Sequence, residues 1–262
     1  MTFLGVRGTR PTPLAQNLGF GGNTTCLEIS SGQHDRLFVD AGTGISRAAG
    51  IHEQEQIQVL LTHFHSDHIQ GLPFFAPLFD RRCHLIFWSG LAPDAARRAL
   101  EGQLAPPYSP AMDFAAARRS YIEVKQQAFD LGSIRVHPFA LNHPQGAWGY
   151  RVESDSAAIV HASDHEHGDP VLDGALLDHA QDADVLIYDS QYTDAEYASK
   201  KGWGHSTWRE ATRMACAARV KKLILFHHDP THDDATISAI VDEARRHFEH
   251  TDAAREGATI NV

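Results

Sequence analysis

Cysteine is scarce in this sequence: Cys26, Cys83 and Cys216 are the only three in 262 residues. An odd, widely spaced set argues against a disulfide framework and for a reducing, cytoplasmic setting. Long apolar runs are missing, so no membrane-spanning helix is expected. The segment Met1-Thr2-Phe3-Leu4-Gly5-Val6-Arg7-Gly8 has no basic stretch leading into an apolar one, so no signal peptide is expected. Basic residues are outnumbered, 23 Lys and Arg against 33 Asp and Glu, and the net charge is −10. That balance argues against broad electrostatic capture of nucleic acid. The pairs Arg97-Arg98 and Arg118-Arg119 read as solvated helix faces. Without repeats, low-complexity segments or obvious linkers, residues 1–262 are expected to form a single domain.

Histidine, by contrast, is plentiful, with 18 residues. His63-Phe64-His65-Ser66-Asp67-His68 places three imidazoles and one carboxylate within six residues, directly after the apolar run Val59-Leu60-Leu61. A strand ending in such a loop can aim these side chains at two adjacent metal ions. The donor types suit zinc, manganese or iron. Two ions need more ligands than one loop supplies. Three candidates also follow apolar strand-like runs: His143 after Val136–Asn142, Asp164 after Ala158–Ser163, and His227 after Leu223–Phe226. Glu166 competes with Asp164 as a hard-oxygen bridge, and His228 competes with His227. Lone histidines such as His34, His52, His179 and His250 read as surface residues.

The pattern along the chain mixes strands and helices. Strands are expected at Phe3–Val6, Thr24–Ile29, Leu37–Asp40, Gln58–Leu61, His84–Trp88, Tyr121–Val124, Ile134–Phe139, Gly149–Glu153, Ala157–His161, Val185–Tyr188 and Leu223–Phe226. Helical segments are expected at Ser46–Ala49, within Ile69–Phe79, and at Asp94–Gly102, Met112–Arg119, Leu172–His179, Thr207–Ala217 and Ala235–Phe248. The Pro-rich break Pro106-Pro107-Tyr108-Ser109-Pro110 suggests a flap at about residues 93–120.

The motif His63-x-His65-x-Asp67-His68 resembles the signature of the metallo-β-lactamase-fold hydrolases. The resemblance implies an α+β fold, a four-layer αβ/βα sandwich, with two divalent metal ions, zinc by preference, at one edge. It assigns His63, His65 and His143 to one ion and Asp67, His68 and His227 to the other. Asp164 is the implied bridge. Three further segments are similar to the phosphodiesterase branch, which includes transfer-RNA 3′-processing endonucleases and phosphoribosyl cyclic phosphodiesterases. They are Phe3–Pro11 with Gly21–Cys26, Asp40-Ala41-Gly42-Thr43-Gly44, and Gly204-His205-Ser206-Thr207. In that branch the histidine of the last segment contacts phosphate or protonates the leaving oxygen. Its carboxylate partner is left open among Asp189, Glu196 and Glu210.

Only 20 residues separate His143 from Asp164, room for one hairpin and none for the RNA-gripping arm of the endonucleases. Transfer RNA is therefore disfavoured as a partner, and a small cyclic phosphodiester is the expected substrate. The implied reaction is hydroxide attack on phosphorus at the metal pair, with Asp67 orienting the nucleophile and His205 serving the departing oxygen. Arg7 or Arg10 is a candidate for a second anionic group. Phe74, Phe75, Tyr192 and Trp203 are candidates for stacking. Related enzymes often dimerise, so a homodimer is expected by analogy. The competing readings are a thiolester, lactone or β-lactam hydrolase on the same metals, and a metal-dependent sensor without turnover.

Overall fold

The computed structural model describes residues 1–31, 35–49, 56–109 and 115–262. Two mixed sheets form the body. The first runs β1 (Thr2–Gly5), β2 (Cys26–Ser31), β3 (Asp35–Val39), β4 (Gln56–Leu60), β5 (His84–Ser89) and β6 (Arg118–Glu123) in that spatial order. The second runs β13 (Thr251–Ala253), β12 (Lys222–Phe226), β11 (Val185–Asp189), β10 (Ala158–Ala162), β9 (Ala147–Glu153), β8 (Ile134–Leu141) and β7 (Phe129–Leu131).

Alternation along the strands explains the layering. In β12, Ile224 and Phe226 face the other sheet, where they join Val39, Leu60, Val185 and Ile187 in one core. Leu223 and Leu225 face outward into a second core. That outer core is closed by α3 (Pro170–Ala180), α5 (Trp208–Ala218) and α6 (Asp234–Arg245), through Leu176, Ala211, Ala215, Ile237 and Val241. The outer face of the first sheet carries a third core. There Phe38, Val59 and Phe87 meet Leu100 of α2 (Pro93–Gly102), Leu72 and Leu78 of two short helical turns, and Phe75 between those turns. Each fully buried side chain of this size contributes about 1.5–3 kcal/mol by leaving water, so all three cores matter. The result is the α+β four-layer sandwich that the sequence motif implied.

Strand direction positions the site. β10, β11 and β12 are parallel, and β8 shares their direction because β9 is antiparallel to both β8 and β10. In the first sheet β3 and β4 are parallel. The residues following β3, β4, β8, β10, β11 and β12 converge on one edge of the sandwich, as the contacts below show. Helix starts are pinned by capping carboxylates and hydroxyls: Asp169 for α3, Thr207 for α5 and Asp233 for α6.

Several expected boundaries moved. Ile69–Phe79 resolves into the end of α1 (Ser66–Ile69) and two short helical turns, Leu72–Phe74 and Ala76–Phe79, which carry Pro73 and Pro77 within their first two positions. Of the expected helix Met112–Arg119, residues 112–114 lie outside the described residues, and Arg118-Arg119 opens β6 instead. Arg119 is not a solvated face: its guanidinium donates to Glu101 and to the carbonyls of Ala115 and Ala117. The described part of residues 93–120 packs α2 against β6 and contributes to the third core. His34 and His52 also lie outside the described residues. Among the described residues, no helix is long and apolar enough to cross a membrane.

His161 is an oddity of the inter-sheet core. It is buried beside Phe226, with ring centroids 5.6 Å apart, and neither ring nitrogen has a hydrogen-bond partner. Burial pushes its pKa down to about 4, against the partial pull of Asp40. A histidine held neutral in the fold but free to protonate when unfolded stabilises the fold above pH 6.5 and ceases to do so as pH falls towards 4. His161→Leu is expected to reduce the loss of unfolding free energy between pH 6.5 and 4 by up to about 3 kcal/mol, measured by urea unfolding. Parallel pH profiles for the two proteins would contradict this.

Candidate metal centre

All seven side chains singled out in the sequence meet at this edge. Asp164, after β10, lies at the middle. Its Oδ1 is 3.9 Å from His63 Nε2 and 3.8 Å from His143 Nε2. Its Oδ2 is 3.2 Å from His68 Nε2 and 3.4 Å from His227 Nε2. One carboxylate thus faces two donor sets with separate oxygens. On the first side, His143 Nε2 is 3.1 Å from His65 Nδ1. On the second, Asp67 Oδ2 is 3.5 Å from His68 Nε2 and 3.3 Å from His227 Nε2.

The tautomers of these histidines are set from behind. His68 Nδ1 donates to Asp40 Oδ2 at 2.8 Å. Thr62 Oγ1 donates to Asp40 at 3.0 Å and accepts from His63 Nδ1 at 3.0 Å. His143 Nδ1 donates to the Gly204 carbonyl and His227 Nδ1 to Gln191 Oε1, both at 2.8 Å. Each of these rings therefore leaves its Nε2 to face the cluster, the atom a metal would take. Asp67 is fixed by the Thr9 N–H, 2.7 Å from Oδ2.

A divalent cation fits this donor set. His63, His68 and His227 each have a buried Nε2 that makes no hydrogen bond, although carboxylate oxygens stand within 4 Å. Ring nitrogens and carboxylate oxygens that converge without a hydrogen bond between them suit a shared cation. Nitrogen and oxygen ligands of a tetrahedral zinc stand about 3.3 Å apart, close to the spacings found here. The same residues form three compact donor groups: His63 with His65 and His143, Asp67 with His68 and His227, and His63 with His68 and Asp164. The field points the same way. Burial disfavours charge on His227, yet Asp164, Asp67 and Asp189 overcome it and push its pKa up to about 9.

Backbone strain accompanies the convergence. Asp40, Asp164 and His227 adopt left-handed φ values of 64°, 62° and 61° at the ends of β3, β10 and β12. Such conformations cost non-glycine residues about 1–2 kcal/mol and persist where surrounding contacts enforce them. Gly204, with φ of 88°, packs against His143, whose ring a Cβ there would overlap.

The alternatives left open by the sequence take different places in the structure. Glu166 turns away from the cluster and accepts from the Tyr197 hydroxyl and from the Gly202 and Gly204 N–H groups. His228 points back into the fold, where its Nε2 meets the Ala254 carbonyl at 3.1 Å. His205 pairs with Asp189, at 2.8 Å between Nδ1 and Oδ2. Glu196 closes a capping box with Thr193 at the start of α4 (Asp194–Tyr197), and Glu210 binds Arg213. Arg7, expected as an anion contact, is fully buried and donates to the carbonyls of Gly21, Asp229 and His232. Arg10 is exposed on the wall of the cleft above the cluster. Phe75 is buried against Phe38, and Phe74, though exposed, does not line the cleft. Gln191 escaped the sequence reading, as did the role of the Gly204 carbonyl towards His143. Their only trace was position beside a strand end and a histidine.

Asp40 accepts from His68, from the Thr62 hydroxyl and from the Thr62 N–H. Asp40→Asn would set an amide donor among these donors. The expected outcome is metal affinity weakened about 10–100-fold, measured by chelator competition. Unchanged affinity in a folded variant would contradict the orienting role.

The family model for the beta-lactamase superfamily domain matches residues 35–228. A Ribonuclease Z from Thermoplasma acidophilum is 23% identical over 296 aligned positions, which cover 95% of this chain and 92% of that protein. The metallo-beta-lactamase fold protein YhfI from Bacillus subtilis superimposes with a TM-score of 0.72 at 21% identity, covering 98% of this chain and 96% of that one. A diphosphatase from the PhnP family gives 0.70 at 18% identity, covering 100% and 96%. With the cluster at its sheet edge, this chain belongs to the beta-lactamase superfamily and is a metal-dependent hydrolase of the metallo-β-lactamase fold.

Proposed function

We propose that the enzyme hydrolyses a small phosphodiester, cyclic phosphodiesters included. The observation that carries this reading is the His205–Asp189 pair beside the donor cluster. Asp189 holds the Nδ1 proton of His205, so Nε2 is the atom left for the cleft that both His205 and Asp164 line. Asp189 also accepts from the backbone N–H groups of Asp164, Gln191 and Ser206, which locks its orientation. A histidine so held can donate a proton to an oxygen leaving phosphorus.

The residues suited to hold two divalent ions are His63, His65 and His143 on one side, and Asp67, His68 and His227 on the other, with Asp164 reaching both. Bound there, such ions would supply charge neutralisation at phosphate oxygens and make water a better nucleophile. Asp67, anchored by Thr9, borders the cleft and is placed to orient that water. Arg10 adds an exposed positive charge on the cleft wall, with no side-chain partner among the described residues. A thiolester or lactone hydrolase would give the His205–Asp189 pair less to do.

A small substrate is favoured over RNA by what connects His143 to Asp164. That span contains β9 and its tight turn into β10, and nothing longer. The alignment with the Ribonuclease Z runs over 296 positions, more than the 262 residues of this chain can fill, so that relative carries stretches that this chain lacks. The net charge of −10 agrees.

His205→Ala is expected to lower kcat about 10²–10⁴-fold on a cyclic phosphodiester with an alkoxide leaving group. The loss should be smaller on bis(p-nitrophenyl) phosphate, whose leaving group needs little proton assistance. Bound metal, measured by elemental analysis, should not change. Equal losses on both substrates, or full activity on the first, would contradict the proton-donor role.

A further inference from the structure

Trp203 stands apart from the other tryptophans. Trp88 stacks on Phe129 with centroids 4.2 Å apart, Trp148 is half-buried against the inter-sheet core, and Trp208 lies 5.7 Å from His247 beneath the Arg209 guanidinium. Trp203 is 62% exposed and meets no aromatic ring or cation among the described residues. A single exposed aromatic is ordinary on a protein surface. Two features lift this one above that reading.

The first is location. Trp203 lines the cleft of about 500 Å³ that also holds Asp67, Asp164, His143 and His205. A cleft of this size is typical of small-ligand sites. Tyr192, the other aromatic of the lining, is buried, and Lys200 Nζ sits over its ring at 4.3 Å. Trp203 is therefore the exposed aromatic of this wall.

The second is rigidity. The N–H groups of Gly202 and Gly204, on either side of Trp203, donate to the buried carboxylate of Glu166 at 2.7 and 2.8 Å. The Tyr197 hydroxyl holds the same carboxylate at 2.9 Å. Both glycines have left-handed backbones, φ 84° and 88°, which a side chain would disfavour. The Gly204 carbonyl in turn orients His143. An indole exposed to water is thus carried on a backbone fixed in the frame of the reacting groups.

We propose that Trp203 is a ring-stacking subsite, and that the substrate carries a planar ring, a nucleobase or an aryl group, on one phosphodiester arm. This rests on the phosphodiester reading above. Phosphate would be held at the metal centre while the ring lies on the indole. Ring-on-tryptophan stacking strengthens binding about 10–100-fold relative to alanine.

The test is calorimetric binding of AMP, phenyl phosphate and ribose 5-phosphate to the zinc-loaded enzyme, its Trp203→Ala variant and its Trp203→Phe variant. Ring-bearing ligands should bind about 10–100-fold more tightly than ribose 5-phosphate. That gap should close in Trp203→Ala and largely persist in Trp203→Phe, with ribose 5-phosphate unaffected. Preference for AMP over phenyl phosphate identifies a nucleobase, and equal binding identifies any planar ring. The proposal is overturned if ring-bearing ligands gain nothing over ribose 5-phosphate, or if the gap survives in Trp203→Ala. Hydrolysis of a ring-free cyclic glycerol phosphate is measured alongside. Turnover of it without a ring effect removes the subsite alone. A ring effect with no phosphodiester turnover removes the functional reading instead.

Discussion

The buried carboxylate of Asp40 is the interaction on which this site depends. It accepts from four donors: His68, the Thr62 hydroxyl, the Thr62 N–H and the Thr25 hydroxyl. Through Thr62 it also fixes His63. One group at the end of β3 thereby sets the tautomers of two histidines in the neighbouring loop after β4. An unpaired carboxylate at this depth would cost several kcal/mol, so Asp40 and its donors stabilise one another as a unit. The sandwich places that unit where the second sheet can answer it with His143, Asp164 and His227.

The fold explains why the answer arrives at a single edge. Parallel strands bring β10, β11 and β12 to the same end, and each leaves a polar residue there: Asp164, Asp189 and His227. The left-handed backbones of Asp40, Asp164 and His227 show what that convergence costs locally. Three apolar cores, one between the sheets and one outside each, provide the stability that tolerates it. The same hydrogen-bonded frame reaches outward. Glu166 ties the Asp164 turn to the loop carrying Trp203 and His205.

Much of this was legible in the sequence because the signal is local. Three histidines and an aspartate after an apolar run can be read without knowing the fold. His143, Asp164 and His227 repeat the same pattern of a polar residue closing an apolar strand. What the sequence concealed depends on long-range pairing. Asp189, Glu196 and Glu210 look equivalent in one dimension, yet only Asp189 closes its strand at the site edge, while the others cap or pair within helices. Arg7 looked like an anion contact because its partners are backbone carbonyls, which leave no mark in composition. The edge strands β7 and β13, at three residues each, are too short to show alternation.

The central claim is that this edge is a two-ion centre built around Asp164. The most direct measurement is a crystal structure of the zinc-loaded protein with anomalous diffraction at the zinc edge. The account predicts two peaks per chain, one among His63, His65 and His143 and one among Asp67, His68 and His227, with Asp164 between them. A single peak, or ions that leave these side chains unengaged, would contradict it.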